Sequence, residues 1–230
     1  MVTRRVVVDS FAELLRRPFD NAVNALCWPR TLAGDFSEVT RLLAPAGGVV
    51  VVDADQLRAL PLGPAGRVAA DVMLEDLRRL DQLGREPVLN CIRSYERDER
   101  GLAIATDVLS FHADRAPVEV DTWLCTYQGR GSEGLDNDDA RRLIDDPVTR
   151  ARLLQDYGGA DDEGFVDFVR AGSFDLHYGA IDAAAAAPFG FGVGNLWRIA
   201  VEWPGCLVPA CIHRAPPPQR GDEPRLLLIC

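Results

Sequence analysis

The sequence predicts an α+β fold in which helices lead, antiparallel strands follow as a sandwich or barrel, a helical stretch interrupts them, and strands close the chain. Three observations carry this. Helical spacing of apolar residues is concentrated before Gly84. Strand-like runs occupy Pro87 to Tyr127 and recur from Leu196 to Cys230. Strand and helix do not alternate as βαβ units would require. With 230 residues, 47% of them hydrophobic, the chain can bury one core, and residues 1–230 read as a single domain.

In chain order, residues 9–44 read as helical in pieces. Phe11, Leu14 and Leu15 stand at helical spacing behind Asp9 or Ser10 as cap, and a second pattern runs from Phe36 to Leu43, before Pro45 and Gly47-Gly48. Val49 to Val52 is β-branched and reads as a strand. Residues 67–83 form the strongest helical pattern, with Val68, Val72, Leu74, Leu77 and Leu80 on one face and Gly84 as the stop. Strands are expected over Pro87 to Glu96, Leu102 to Phe111 and Val118 to Tyr127, the first two joined by a turn at Asp98-Glu-Arg-Gly101. A Gly-rich acidic loop at 129–139 leads into 139–170, read as helical on Leu143, Ile144, Leu153 and Leu154. After the alanine tract 183–187 and the glycines of 189–194, closing strands are expected over Leu196 to Trp203, Leu207 to His213 and Arg225 to Cys230.

Composition excludes several functions. The formal net charge of −10 leaves no basic stripe for nucleic acid and fits a protein acting on a small molecule. All 25 basic residues are arginine, so Schiff-base, pyridoxal-phosphate, Walker-type and kinase chemistry lack their usual lysine. No apolar run is long enough for a bilayer, and the basic-then-apolar start Met1 to Asp9 is too short for a signal peptide, so a cytoplasmic protein without membrane contact is expected. Six cysteines without CxxC pairing read as free thiols.

Chemistry concentrates on the histidines, of which there are three. His112-Ala113-Asp114 ends an expected strand, where residues at i and i+2 share a face, so an imidazole and a carboxylate reach one ion together. His213 ends another strand and supplies a third ligand if the two strand ends meet. Two histidines and a carboxylate on one face of a metal form a facial triad with open positions, a set that suits Fe(II) better than a closed, cysteine-rich zinc site. An HxD tripeptide arises often by chance; the weight comes from the residues behind His213. Thr126 and Tyr127, on the following strand, are expected to face the pocket. His177 is expected to line it, to act as an acid or base, or to serve structure alone. Gly129-Arg-Gly-Ser-Glu-Gly134 has the spacing of a dinucleotide-binding turn, but the acids of 133–139 would repel a pyrophosphate, and a plain turn is expected.

His213-Arg-Ala-Pro-Pro-Pro-Gln-Arg-Gly-Asp-Glu-Pro-Arg225 resembles the distal-histidine segment of 2-oxoglutarate-dependent oxygenases of the phytanoyl-CoA hydroxylase type. Phe111-His-Ala-Asp-Arg-Ala-Pro117, Leu124-Cys-Thr-Tyr-Gln-Gly-Arg-Gly-Ser-Glu133, His213-Arg-Ala-Pro216 and Arg225-Leu-Leu-Leu228, with the opening Val23-Asn-Ala-Leu-Cys-Trp-Pro-Arg30, are similar to the uncharacterised bacterial domain-of-unknown-function family 1826. Segment 136–195 is long for that family, and Ser132 stands where threonine is usual. The resemblances imply a double-stranded β-helix (cupin or jelly-roll-like) core with N-terminal helices and a helical insertion or lid at 136–195. They imply Fe(II) on His112, Asp114 and His213, and 2-oxoglutarate held by Arg225, with Thr126 and Tyr127 alongside. The implied reaction is oxidation of a small molecule by O2. A cupin-type dioxygenase without 2-oxoglutarate and a zinc-binding or metal-sensing protein remain open, as does an ordinary pairing of Arg225 with Asp222 or Glu223.

Overall fold

Ser10 opens helix α1 (Phe11–Arg16): its hydroxyl accepts the Glu13 amide, a donor the first turn leaves unpaired. The structure, a computed structural model, describes residues 4–20, 22–43, 45–184 and 186–230. Met1 to Thr3 of the leader-like start and Ala185 of the alanine tract lie outside these residues. Around α1 stand strands β1 (Arg5–Val7) and β2 (Ala25–Trp28), followed by α2 (Phe36–Leu43), β3 (Val49–Val52), α3 (Ala54–Ala59) and α4 (Pro64–Asp81). Strands β4 (Val88–Ile92), β5 (Phe111–His112), β6 (Asp121–Gln128), β7 (Glu133–Leu135) and β8 (Ala140–Arg142) come next. Helices α5 (Pro147–Tyr157) and α6 (Glu163–Ala171) then precede β9 (His177–Ala180), β10 (Phe189–Gly190), β11 (Leu196–Ala200), β12 (Ile212–Arg214) and β13 (Arg225–Ile229).

The fold is mixed α+β with two sheets. One has the order β1-β2-β11-β6-β13-β4-β3, antiparallel except for β1 with β2. The other, β10-β7-β12-β5-β9-β8, is antiparallel throughout. Strand alternation splits the buried residues into layers. On β6, Trp123, Cys125 and Tyr127 pack with Leu14, Phe36, Val39, Leu57, Met73 and Leu80 of the helices, whereas Leu124 faces the other way, with Ile92, Phe191, Trp197, Ile199 and Leu227. A third cluster joins α5 and α6 through Leu153, Phe165 and Val169 to Ile104, Ile144 and Phe174. All six cysteines are free, and no helix among the described residues is long and apolar enough to cross a membrane.

Several elements depart from expectation for identifiable reasons. The expected strand Leu102 to Phe111 is irregular apart from Phe111. Asp98 accepts the Arg100 and Thr106 amides, and Asp107 those of Asp98 and Leu109, so side chains satisfy donors a strand ladder would have used. The expected helical run 139–170 begins as strand β8 and divides into α5 and α6. Pro147 is confined to a first turn, where Asp146 caps the Thr149 amide, and Gly158 at φ 74° ends α5. Segment 136–195 is therefore not simply helical: β8, β9 and β10 are built into the second sheet. Strands β1 and β2 arise inside a stretch read as helical pieces. Helix α4 buries Ala69, Ala70, Met73, Asp76 and Leu80, while Val68 is 43% exposed. The preceding chain lies close against it: Gly34 has φ 112°, and a Cβ there would stand 2.4 Å from the Ala69 nitrogen.

Asp76, a charge on the buried stripe, conceals that face from an apolar-periodicity reading. Both its carboxylate oxygens accept from Arg30 Nη1 at 2.8 Å, and Tyr127 Oη donates to Oδ2 at 2.8 Å. The pair is nearly solvent-free, at 8% and 2% side-chain exposure. Asp76→Ala leaves the Arg30 guanidinium buried and unpaired. It is expected to cost about 3–5 kcal/mol of unfolding free energy, measured as a fall in denaturant midpoint at unchanged m-value. A loss below about 1 kcal/mol would refute this role for the pair.

Candidate metal centre

Strands β5 and β12 each present a histidine, and pairing sets His112 directly across from His213. Directly opposed residues of an antiparallel pair share a face, and the two ring centroids are 4.6 Å apart. Asp114 follows two residues after His112, as the HxD spacing anticipates. Ligating atoms of His112, Asp114 and His213 all lie within 4.8 Å of one another, with His213 Nε2 3.8 Å from Asp114 Oδ2. Metal–ligand bonds of about 2.1 Å place neighbouring ligand atoms roughly 3 Å apart, so an ion fits after each side chain moves in by about an ångström.

The surroundings orient these groups for coordination. His112 Nδ1 stands 2.8 Å from the Ser110 carbonyl oxygen, and His213 Nδ1 stands 3.3 Å from that of Cys211. A carbonyl only accepts, so each Nδ1 carries the hydrogen and each Nε2 keeps its lone pair, the arrangement metal-bound histidines use. Burial, then the neighbouring His213, holds His112 below the ordinary imidazole range, which favours the neutral ligand form. Burial pushes the Asp114 carboxyl upward, but His213, the Thr122 hydroxyl and His112 outweigh it and hold the group below its usual range, as a carboxylate. Thr122 Oγ1 donates to Asp114 Oδ2 at 2.6 Å. Phe191, its ring centroid 6.4 Å from that of His213, places an apolar wall beside the cluster.

Arg225 opens β13 and is 5% exposed. Its Nη1 donates to Tyr95 Oη at 2.8 Å, and its Nη2 to Thr126 Oγ1 at 2.9 Å and Ser132 Oγ at 2.7 Å. Nε is buried without a partner. Neither Asp222 nor Glu223 pairs with it: Glu223 takes a hydrogen bond from Gln128, and Asp222 lies 3.9 Å from Arg130. Burial lowers the guanidinium below its ordinary range. A buried cation held by neutral hydroxyls has an unmet demand for an anion. It borders a cavity of about 340 Å³ also lined by Tyr95, Arg93, Arg97 and Arg130.

Two residues expected together in the pocket separate. Thr126 faces the space between the sheets and holds Arg225, whereas Tyr127 is in the helix-facing core, bonded to Asp76. Adjacent strand residues point to opposite faces, which rules out a shared pocket role. The GxGxxG spacing at 129–134 leads into strand β7, not a helix N-terminus. Sequence reasoning did not single out Thr122, Ser110 or Ser132, and Tyr95 entered only as the residue between Arg93 and Arg97. For Thr122 a signal existed: it stands four residues before Thr126 on one strand, hence on the same face.

No family model, no curated protein and no solved structure matches this chain, so the resemblance to family 1826 rests on its quoted motifs.

His112→Ala and His213→Ala are each expected to abolish stoichiometric Fe(II) or Co(II) binding, measured by metal analysis after anaerobic loading; retained stoichiometry places the site elsewhere. Thr122→Val, which removes only the hydroxyl holding Asp114, is expected to weaken Co(II) affinity about 10- to 100-fold in chelator competition, with an unchanged circular dichroism spectrum.

Proposed function

We propose that the chain is a mononuclear non-heme Fe(II) oxygenase that uses 2-oxoglutarate to oxidise a small molecule, built on a double-stranded β-helix core. The observation that carries the co-substrate is Arg225, buried in hydroxyls with no carboxylate of its own beside a cavity of about 340 Å³. Chain order supports the fold reading. β4, β6, β11 and β13 are neighbours in one sheet as β11-β6-β13-β4, and β5, β7, β10 and β12 in the other as β10-β7-β12-β5. The chain changes sheets at every step among these eight except from β7 to β10, as a jelly roll of paired Greek keys does. Strands β1 to β3 extend one sheet and β8 and β9 the other.

His112, Asp114 and His213 would hold Fe(II), leaving open positions for co-substrate and O2. Bound iron and 2-oxoglutarate supply the oxygen activation; the protein supplies position and exclusion. Arg225 receives the distal carboxylate, with Tyr95, Thr126 and Ser132 fixing the guanidinium plane. Thr122, which holds Asp114, and Thr126, which holds Arg225, lie four residues apart on β6. That is roughly 13 Å at a strand's rise, a span suited to a short dicarboxylate between metal and arginine. Phe191, Trp197, Ile199 and Leu227 keep water from that interior.

Anaerobic addition of Fe(II) and 2-oxoglutarate is expected to give a weak visible charge-transfer band, and aerobic incubation to consume oxygen with succinate formed. Arg225→Gln is expected to raise the 2-oxoglutarate concentration for half-saturation about 10- to 150-fold while iron still binds. Oxygen uptake that ignores 2-oxoglutarate would establish a cupin-type dioxygenase instead, with Arg225 on the substrate's carboxylate. Stably held zinc without oxygen chemistry would establish a metal-binding protein that is no enzyme.

A further inference from the structure

Next to the candidate ligands stands a polar group that the chemistry above does not use. His177 heads β9, directly across from His112 in the register that sets His112 across from His213. The three imidazoles therefore stand in a row on one face of the second sheet, with the His177 ring centroid 5.8 Å from that of His112. His177 nevertheless lies outside the ligand cluster. Ser110 fixes its tautomer. The Ser110 hydroxyl has one hydrogen, directed at backbone carbonyls, Asp107 O at 2.7 Å and Ala105 O at 3.1 Å. Its contact with His177 Nδ1 at 2.9 Å must then be a bond that Nδ1 donates. Nε2 is left as an acceptor that no described residue hydrogen-bonds, on a side chain buried to 4% exposure.

A cavity of about 250 Å³ lies here, lined by His112, Asp114, His177, Thr106, Asp107 and Ser173 among others. Arg115 and Ser173 also line a larger outer groove of about 740 Å³ beside Trp203, so the two spaces adjoin. Arg115 is not free to take an anion. Its Nε and Nη2 donate to Glu202, and its Nη1 and Nη2 donate to Asp175. With that cation matched, Asp107 and Asp114 give the cavity a surplus of acceptors. The cavity at Arg225 has the opposite character, with Arg93, Arg97 and Arg130 around it, and shares no lining residue with this one.

We propose that the cavity of about 250 Å³ receives the substrate, a small neutral or cationic molecule carrying a hydroxyl or amine, and that His177 Nε2 accepts its hydrogen bond and orients it beside the metal. This rests on the metal-site reading. The two cavities divide the task by charge: the arginine-lined space takes the anionic co-substrate, and the histidine-lined space takes the hydrogen-bond donor to be oxidised.

Three histidines in the whole chain make the test selective. Diethyl pyrocarbonate modifies unprotonated imidazole nitrogens. In the full chain loaded with Zn(II) as a redox-silent stand-in, the metal shields His112 and His213, and mass spectrometry is expected to find carbethoxylation at His177 alone. Glycerol, a small hydroxyl donor, is expected to slow that modification saturably relative to N-acetylhistidine in the same solution; its trimethyl ether, which has no donor, is not. His177→Gln is expected to bind Zn(II) with unchanged stoichiometry and to lose the modification. His177 left unmodified in the Zn(II)-loaded chain, unaffected by glycerol, or slowed equally by the ether overturns the proposal and leaves the metal site standing. Modification of His112 or His213 despite bound Zn(II) overturns the metal-site reading itself.

Discussion

Strand β6 is the constraint on which the rest of the structure depends. Its side chains alternate between two environments, and each face has a distinct task. Trp123, Cys125 and Tyr127 anchor the helical layer. Thr122, Leu124 and Thr126 face the second sheet, where the first holds Asp114, the second packs in the apolar interior and the third holds Arg225. A one-residue slip would exchange the two sets, burying hydroxyls among helices and exposing an indole to the site. The bidentate Arg30–Asp76 pair resists that slip, because Tyr127 reaches Asp76 only from the outer face.

The two cavities follow from the same scaffold. β13, beside β6, brings Arg225 to the inner face, and hydroxyls rather than carboxylates surround it, so its charge stays available. β5 lies between β12 and β9, so its histidine has another directly across on either side. Only one of those neighbours shares the ligand cluster. Carbonyl oxygens two residues upstream hold His112 and His213 with Nε2 free, while the Ser110 hydroxyl holds His177. One short loop, the irregular stretch before β5, thereby orients two of the three imidazoles, Ser110 using its carbonyl for one and its hydroxyl for the other.

Much of this was legible in the chain. The α2, β3 and α4 patterns, the closing strands and the HxD spacing are local signals, and each element forms close to where its residues place it. Thr126 and Arg225 were readable as inner-face candidates. Other features were hidden for physical reasons. Asp76 disguised the buried stripe of α4, because periodicity registers a charge as surface. Asp98 and Asp107 replaced a strand ladder with side-chain bonds across a run whose residue types favour strand. Tyr127 was misplaced because residue type was weighed above alternation.

By itself, the sequence determined which residue types were available: three histidines, no lysine, an HxD at a strand end, and an arginine opening the last strand. It also determined where helices and strands start, since capping residues, proline and β-branched runs act over a few neighbours. Only the tertiary structure decided which of them meet. That β12 and β9 flank β5, that Thr122 reaches Asp114, and that Arg225 has no acid beside it are facts of long-range strand pairing and register. Such pairing is set by burial across the whole domain rather than by any local segment, which is why the site assembles from residues as distant in the chain as Tyr95 and Arg225.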